Sequence, residues 1–263
     1  MTELQSAAGS LFYEEAGSGK PLLLIHGFPL SGGIWNRQLD GLAGKFRVIA
    51  PDLRGFGRST PADLPYSMDL YADDTIMLMD HLGIESAAVC GMSMGGYVLL
   101  NLLERYPDRV NTACFMVTKA GADDAEGRAR RTALAEEILK SGSKAAAEAF
   151  SRILFAPGSA AKNPEMVMQI YGMMLEASPE GLVSGLLAMR DRPDYSQRLG
   201  EFKVRSLVIG AAEDMAIPGE ESKKLAAGLH DATLCMIPEA GHMVMLEQPE
   251  AVNRAIAEFL APA

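Results

Sequence analysis

Short continuous apolar runs, separated by longer amphipathic stretches, constrain this chain more than any other feature. Leu22 to His26 is one such run, bounded by Pro21 and Gly27. Phe46 to Ala50, Ala87 to Cys90, Val110 to Val117, Val204 to Ile209 and Ala232 to Ile237 share its character. A run apolar at every position suits a strand covered on both faces, which in practice means a parallel sheet with a helix layer on each side. The stretches between supply those helices. Leu70 to Leu82 carries Ile76, Leu78, Met79 and Leu82 with Asp73, Asp74 and Asp80 elsewhere on the turn. Tyr97 to Tyr106 is apolar nearly all round, and Pro249 to Leu260 sets Val252, Ile256 and Phe259 on one face. The pattern predicts an α/β fold.

Residues 119–195 break the rhythm. They read as helices with no strand between them: Arg128 to Lys140, Lys144 to Leu154, Glu165 to Leu175 and Pro179 to Met189, entered through a polar loop from Gly121 to Gly127. The expected organisation is a core of residues 1–118 and 196–263 with a helical cap at 119–195. At 263 residues the chain can bury a core without disulfides or metals. Its net charge of −10 argues against nucleic acid or an anionic membrane as partner. No basic, apolar leader occupies Met1 to Ser10, and no apolar stretch reaches the ~18 residues of a membrane span, so a cytoplasmic location is expected. Cys90, Cys114 and Cys235 lie in strand-like runs without CxxC spacing, and are expected to be buried thiols rather than metal ligands.

Gly91-Met92-Ser93-Met94-Gly95 fits G-x-S-x-G at a junction between a strand and a helix. A serine at the apex of such a turn is forced into a strained backbone that exposes Oγ, and flanking glycines remove the side chains that would clash there. The competing reading is a glycine-rich turn with a helix-capping serine.

A serine nucleophile needs a base. Of the four histidines, His242 follows a strand directly, in Glu239-Ala240-Gly241-His242, where open α/β sheets assemble their sites. His81 reads as a helix residue, His230 as a helix-terminal one, and His26 as a loop anchor. The base needs an acceptor on its other ring nitrogen. Asp214, a few residues beyond a strand, is favoured. Glu213 is its nearest rival, and Asp123 or Asp124 a more distant one. Asp52, before Leu53-Arg54-Gly55, reads as a structural anchor. His26-Gly27-Phe28-Pro29 would offer the Phe28 N–H, and the elbow the Met94 N–H, as an oxyanion hole.

Taken together, His26 to Pro29, Asp52-Leu53-Arg54-Gly55-Phe56-Gly57-Arg58-Ser59, Gly91 to Gly96, Gly210 to Pro218 and Gly241-His242 resemble the α/β-hydrolase superfamily across nearly the whole chain outside the cap. The resemblance implies an eight-stranded, mostly parallel sheet and no cofactor. Phe28-Pro29-Leu30-Ser31-Gly32 with Trp35 is similar to bacterial esterases grouped with cofactor-free haloperoxidases and to 3-oxoadipate enol-lactonases. Serine at the elbow sets the chain apart from epoxide hydrolases and haloalkane dehalogenases. Met92 and Met243 depart from the carbon–carbon bond hydrolases, which usually carry Asn before the nucleophile and Trp after the histidine.

Gly17-Ser18-Gly19-Lys20 is not a phosphate loop, since Pro21 follows and a strand comes next. The expected reaction is hydrolysis of a small, neutral, modestly hydrophobic ester or lactone by Ser93, Asp214 and His242, by a monomer or homodimer without metal. Perhydrolysis and slow-turnover ligand reception on the same fold are the alternatives. Met166, Met168, Met173, Met174 and Met189 in the cap read mainly as core filling, with some available to an adaptable pocket above Ser93.

Overall fold

The computed structural model describes residues 2–6, 9–61 and 65–261. In chain order the elements are β1 (Thr2–Ser6), β2 (Gly9–Ala16), β3 (Lys20–Ile25), α1 (Asn36–Leu42), β4 (Phe46–Pro51) and α2 (Met68–His81). Then come β5 (Ala87–Met92), α3 (Met94–Arg105) and β6 (Val110–Met116). Five helices follow without a strand: α4 (Ala125–Ser141), α5 (Lys144–Phe150), α6 (Ser159–Lys162), α7 (Pro164–Glu176) and α8 (Pro179–Arg190). The chain returns through β7 (Arg205–Ala211), α9 (Gly219–Gly228), β8 (Asp231–Ile237), α10 (Val244–Glu247) and α11 (Pro249–Leu260).

The eight strands form one sheet in the order β1-β2-β4-β3-β5-β6-β7-β8. β1 and β2 pair antiparallel, as do β2 and β4, and the remaining pairs are parallel. This is the α/β-hydrolase fold expected from the sequence. Alternate side chains of each central strand enter opposite layers. Leu23, Ile25, Val89 and Phe115 pack with α2 and α3, whereas Leu22, Leu24, Cys90 and Met116 pack with α1 and α11.

Helix boundaries follow local chemistry. Ser67 caps α2 by accepting from Leu70 N, and Asp124 caps α4 by accepting from Gly127 N at 2.7 Å. Pro164, Pro179 and Pro249 open their helices where no N–H is needed.

One expectation needs correction. Cys235 is only half-buried, because β8 is the edge of the sheet and one of its faces meets solvent. The methionines between β6 and β7 follow the reading of them as mainly core filling. α7 turns Ile170 and Met174 into the lower core, Met166 and Met173 pack against that same core, and Met168 is 73% exposed.

Candidate active site

β5 runs straight into Ser93, whose φ of 53° and ψ of −113° lie where a side chain is strained. Ser93 N donates to Met116 O, and its carbonyl accepts from Gly96 N and from Thr118 Oγ1 at 2.8 Å. Those bonds hold the conformation against its strain. A Cβ on Gly91 would overlap the carbonyl of Gly95, and one on Gly95 would overlap that of Ile25, so the turn closes only with glycine at both positions. The hydroxyl makes no capping bond to α3. The helix-capping reading of this serine is thereby removed, and Ser93 remains partly exposed on the wall of a cavity.

The sheet's opposite half supplies the other partners. Asp214 and His242 are both buried, and His242 Nδ1 lies 2.7 Å from Asp214 Oδ2. The other carboxylate oxygen, Oδ1, accepts from Ala216 N at 2.8 Å and Ile217 N at 2.9 Å. A carboxylate fixed by two amides leaves Oδ2 to accept from Nδ1–H, which puts the remaining lone pair on Nε2. Of the rival acids, Glu213 is exposed, Asp124 caps α4, and Asp123 is bound by arginines. Asp52 serves as the anchor its sequence context suggested, accepting from Gly32 N and Arg58 N.

Backbone bonds stitch the Asp214 and His242 loops together: Ala212 N donates to Ile237 O, and Glu213 N to Ala240 O. Glu247, which sequence reasoning did not single out, accepts from Gly241 N at 2.7 Å, from Ala156 N at 2.9 Å and from Ser159 Oγ. It ties the His242 loop to the helices between β6 and β7. Its only sequence signal is a glutamate five residues after a histidine.

Ser93 and His242 line the same cavity of about 350 Å³. Phe28 joins them there, following β3 and packed edge-on against Phe56 and Phe150. The Phe28 and Met94 amides donate to no acceptor among the described residues. The cavity sits at the carboxyl ends of the parallel strands, and α4 and α8 cover it with Arg130, Arg131, Leu134, Leu186 and Met189. Met189 is the one member of the methionine group on its wall. Lys119, Asp123, Arg130 and Arg131 add charged groups to the wall. Tyr97, one helical turn beyond Ser93 on α3, also lines it. Burial pushes the Tyr97 phenol above its ordinary value, so it stays a hydrogen-bond donor. Among the described residues no cluster of three His, Cys, Asp or Glu could hold a metal, and no helix is long and apolar enough to cross a membrane.

A family model described as alpha/beta hydrolase fold matches residues 20–249. 3-Oxoadipate enol-lactonase 2 of Acinetobacter baylyi is 31% identical, over 85% of this chain and 82% of that protein. A malate-bound thermophilic esterase from Thermogutta terrifontis superposes with a TM-score of 0.95 and 35% identity, covering 98% and 97% of the two chains. The enol-lactonase from Burkholderia xenovorans LB400 gives 0.92 at 25% identity, covering 98% and 99%.

Proposed function

The chain belongs to the alpha/beta hydrolase fold family, and from that membership we propose that it is a serine hydrolase of small carboxylic esters or lactones. One observation carries the reading. The imidazole of His242 is held at Nδ1 by a buried, doubly amide-bonded carboxylate, and shares one cavity with the hydroxyl of Ser93, which has no hydrogen-bond partner among the described residues.

The reaction runs as acyl transfer through the serine. His242 Nε2 takes the Ser93 proton while Oγ attacks the ester carbonyl, and Asp214 stabilises the imidazolium without accepting its proton. The Phe28 and Met94 amides, with the N-terminus of α3 behind them, hold the developing oxyanion. The imidazolium then protonates the leaving alkoxide, which departs as an alcohol and leaves an acyl-serine. Water attacks next, giving its proton to His242. Collapse of the second intermediate releases the carboxylic acid and restores the Ser93 hydroxyl. In a lactone, the departing hydroxyl stays tethered to the acyl chain until that final step.

The names of two relatives, an enol-lactonase and an esterase, support the choice of an oxygen ester over an amide. The test is turnover of p-nitrophenyl acetate and butyrate by the wild type and by Ser93→Ala. The expected result is hydrolysis by the first and a loss of 10³-fold or more, on the order of a missing triad member, in the second. Turnover that survives the substitution would overturn the assignment.

A further inference from the structure

We propose that Glu247 is a positioning residue for the reaction: its carboxylate clamps the His242 loop onto the backbone that joins α5 to α6, and the clamp keeps the imidazole within reach of Ser93. The inference rests on the serine-hydrolase reading and deepens it by naming what holds the base in place.

Asp214 fixes the imidazole at one atom, Nδ1. A ring held at one atom still travels with its backbone, and that backbone is strained. Glu239, three residues before His242, has a φ of 51°, in the left-handed region where a residue with a Cβ is unfavourable. Released, the loop would relax out of that conformation. Bonds on both sides of the histidine oppose this. Glu239 O accepts from Gln248 Nε2 at 3.2 Å, and Ala240 O accepts from Glu213 N at 2.9 Å. Gly241 N donates to Glu247 Oε2 at 2.7 Å, and Met243 N donates to Leu154 O at 3.0 Å. Both chain neighbours of His242 are thus held through their amides, one by a carboxylate and one by a carbonyl between α5 and α6.

Glu247 joins two bodies at once. While Oε2 takes Gly241 N, Oε1 takes Ala156 N at 2.9 Å and the Ser159 hydroxyl. Ala156 lies between α5 and α6, and Ser159 opens α6. Phe150 and Ile153, just before them, line the cavity. The seam is tight, since a Cβ on Gly241 would overlap Ala156 N and Phe155 C. Residues 150–156 and the His242 loop therefore form one hydrogen-bonded unit with a carboxylate at its joint. An amide cannot copy that joint, because its NH2 would face an N–H at one of the two oxygen positions. A weaker tie spans the same gap at the surface, where Lys162 meets Glu239 at 3.4 Å with both side chains about 70% exposed; such a pair restrains little. Glu247 is half-buried, where each bond counts for more. It is not on the cavity wall, so its influence on the reaction runs through His242. A reacting group displaced by about 1 Å loses on the order of 10²-fold in rate, which sets the scale of the effect.

The experiment measures kcat and KM separately on p-nitrophenyl butyrate and follows the His242 Nδ1 proton by NMR, at a temperature where circular dichroism shows each variant folded. Asp214→Asn, which lacks the orienting carboxylate, assigns that resonance. Both acyl-transfer steps pass through His242, so kcat reports on its placement whichever step is slower. In Glu247→Gln, kcat should fall about 10- to 100-fold. KM should change little, the pattern of an interaction lost in the transition state, and the Nδ1 proton should broaden or vanish through exchange with water. Glu247→Asp, which restores two acceptor oxygens on a shorter arm, should recover part of both signals. Gly241→Ala opens the same seam by another route and should give the same pair of changes; it carries the test if Glu247→Gln does not fold. Arg128→Met cuts an exposed tie between α4 and α8, to Arg190 O and Asp191 Oδ1. It should leave kcat within about twofold and the resonance intact. A kcat or a resonance that stays at its wild-type value in folded Glu247→Gln, or a loss confined to KM, would overturn the proposal. The resonance also separates the clamp from the reading beneath it. A proton signal lost in Glu247→Gln supports the clamp even if Ser93→Ala proves active, and one that stays sharp while Ser93→Ala is inactive counts against the clamp alone.

Discussion

Two loops of this molecule each bury a histidine at the carboxyl end of a parallel strand, and they commit its ring nitrogens differently. His26, after β3, uses both ring nitrogens: Nδ1–H donates to Gly27 O at 2.9 Å, and Nε2 accepts from Leu53 N at 2.9 Å. His242, after β8, has one such bond among the described residues, at Nδ1, and the residue lines the cavity that Ser93 also lines. Burial and strand position are alike in the two loops. What separates an anchor from a base is the count of ring nitrogens already committed, and whether the orienting partner is a carboxylate or a carbonyl. Sequence position already set His26 apart as an anchor, and the hydrogen-bond accounting agrees with that reading.

The sharpest way to break this contrast is to convert the orienting carboxylate of one loop. Asp214→Asn keeps the shape but turns an acceptor into an amide that can misalign the imidazole, and kcat should fall about 10⁴-fold on p-nitrophenyl butyrate. Glu213→Gln, next door but exposed, should stay within about twofold. Equal losses in the two variants would mean that the wrong acid has been assigned.

A smaller effect is expected from the anchor. His26→Phe strands a buried N–H on Leu53 and a buried carbonyl on Gly27, so it should cost about 2 kcal/mol or more in urea unfolding. Its loss in kcat should stay near that of one misplaced oxyanion donor, about 10²-fold or less. A 10⁴-fold loss in a protein that remains folded would erase the distinction between the two loops.

The smallest effect concerns pH. Burial holds His26 below its ordinary value, against the pull of its Gly27 bond and the Asp52 charge. The unfolded chain therefore takes up a proton near pH 6.5 that the folded protein refuses. The stability this provides is complete above that pH and is lost as pH falls below it toward the lowered folded value, with a slope of at most about 1.4 kcal/mol per pH unit. The stability gap between wild type and His26→Phe, measured at pH 7.5 and 5.5, should narrow at the lower pH. A gap that does not change would show that His26 titrates normally.

The core of the fold was legible because a strand covered on both faces has to be apolar at every position, and Leu22 to His26 or Ala87 to Cys90 allow little else. β1 and β2 escaped notice for the converse reason. Thr2-Glu3-Leu4-Gln5-Ser6 is an edge strand with Leu4 as its single apolar residue, and Gly9–Ala16 carries two glutamates, Glu14 and Glu15, near its end. Ser93, His242 and Asp214 could be picked out individually because each follows a strand, and the chain's four histidines make the search short. The cavity wall could not. Whether Met173 or Arg131 faces Ser93 depends on how α4 and α7 pack, and helical periodicity fixes which residues share a face without fixing what that face meets. Tyr97 and Lys119 carried a usable signal, one lying a turn beyond the elbow and the other just past the end of β6.

The most direct measurement is to mix the protein with p-nitrophenyl acetate, quench in acid within the first turnover, and map the adduct by peptide mass spectrometry. The account requires acetyl on Ser93 in the wild type, and far less of it at the same time point when His242 is replaced by Gln. An acetyl group on any other residue, or steady hydrolysis with none on Ser93, would contradict it.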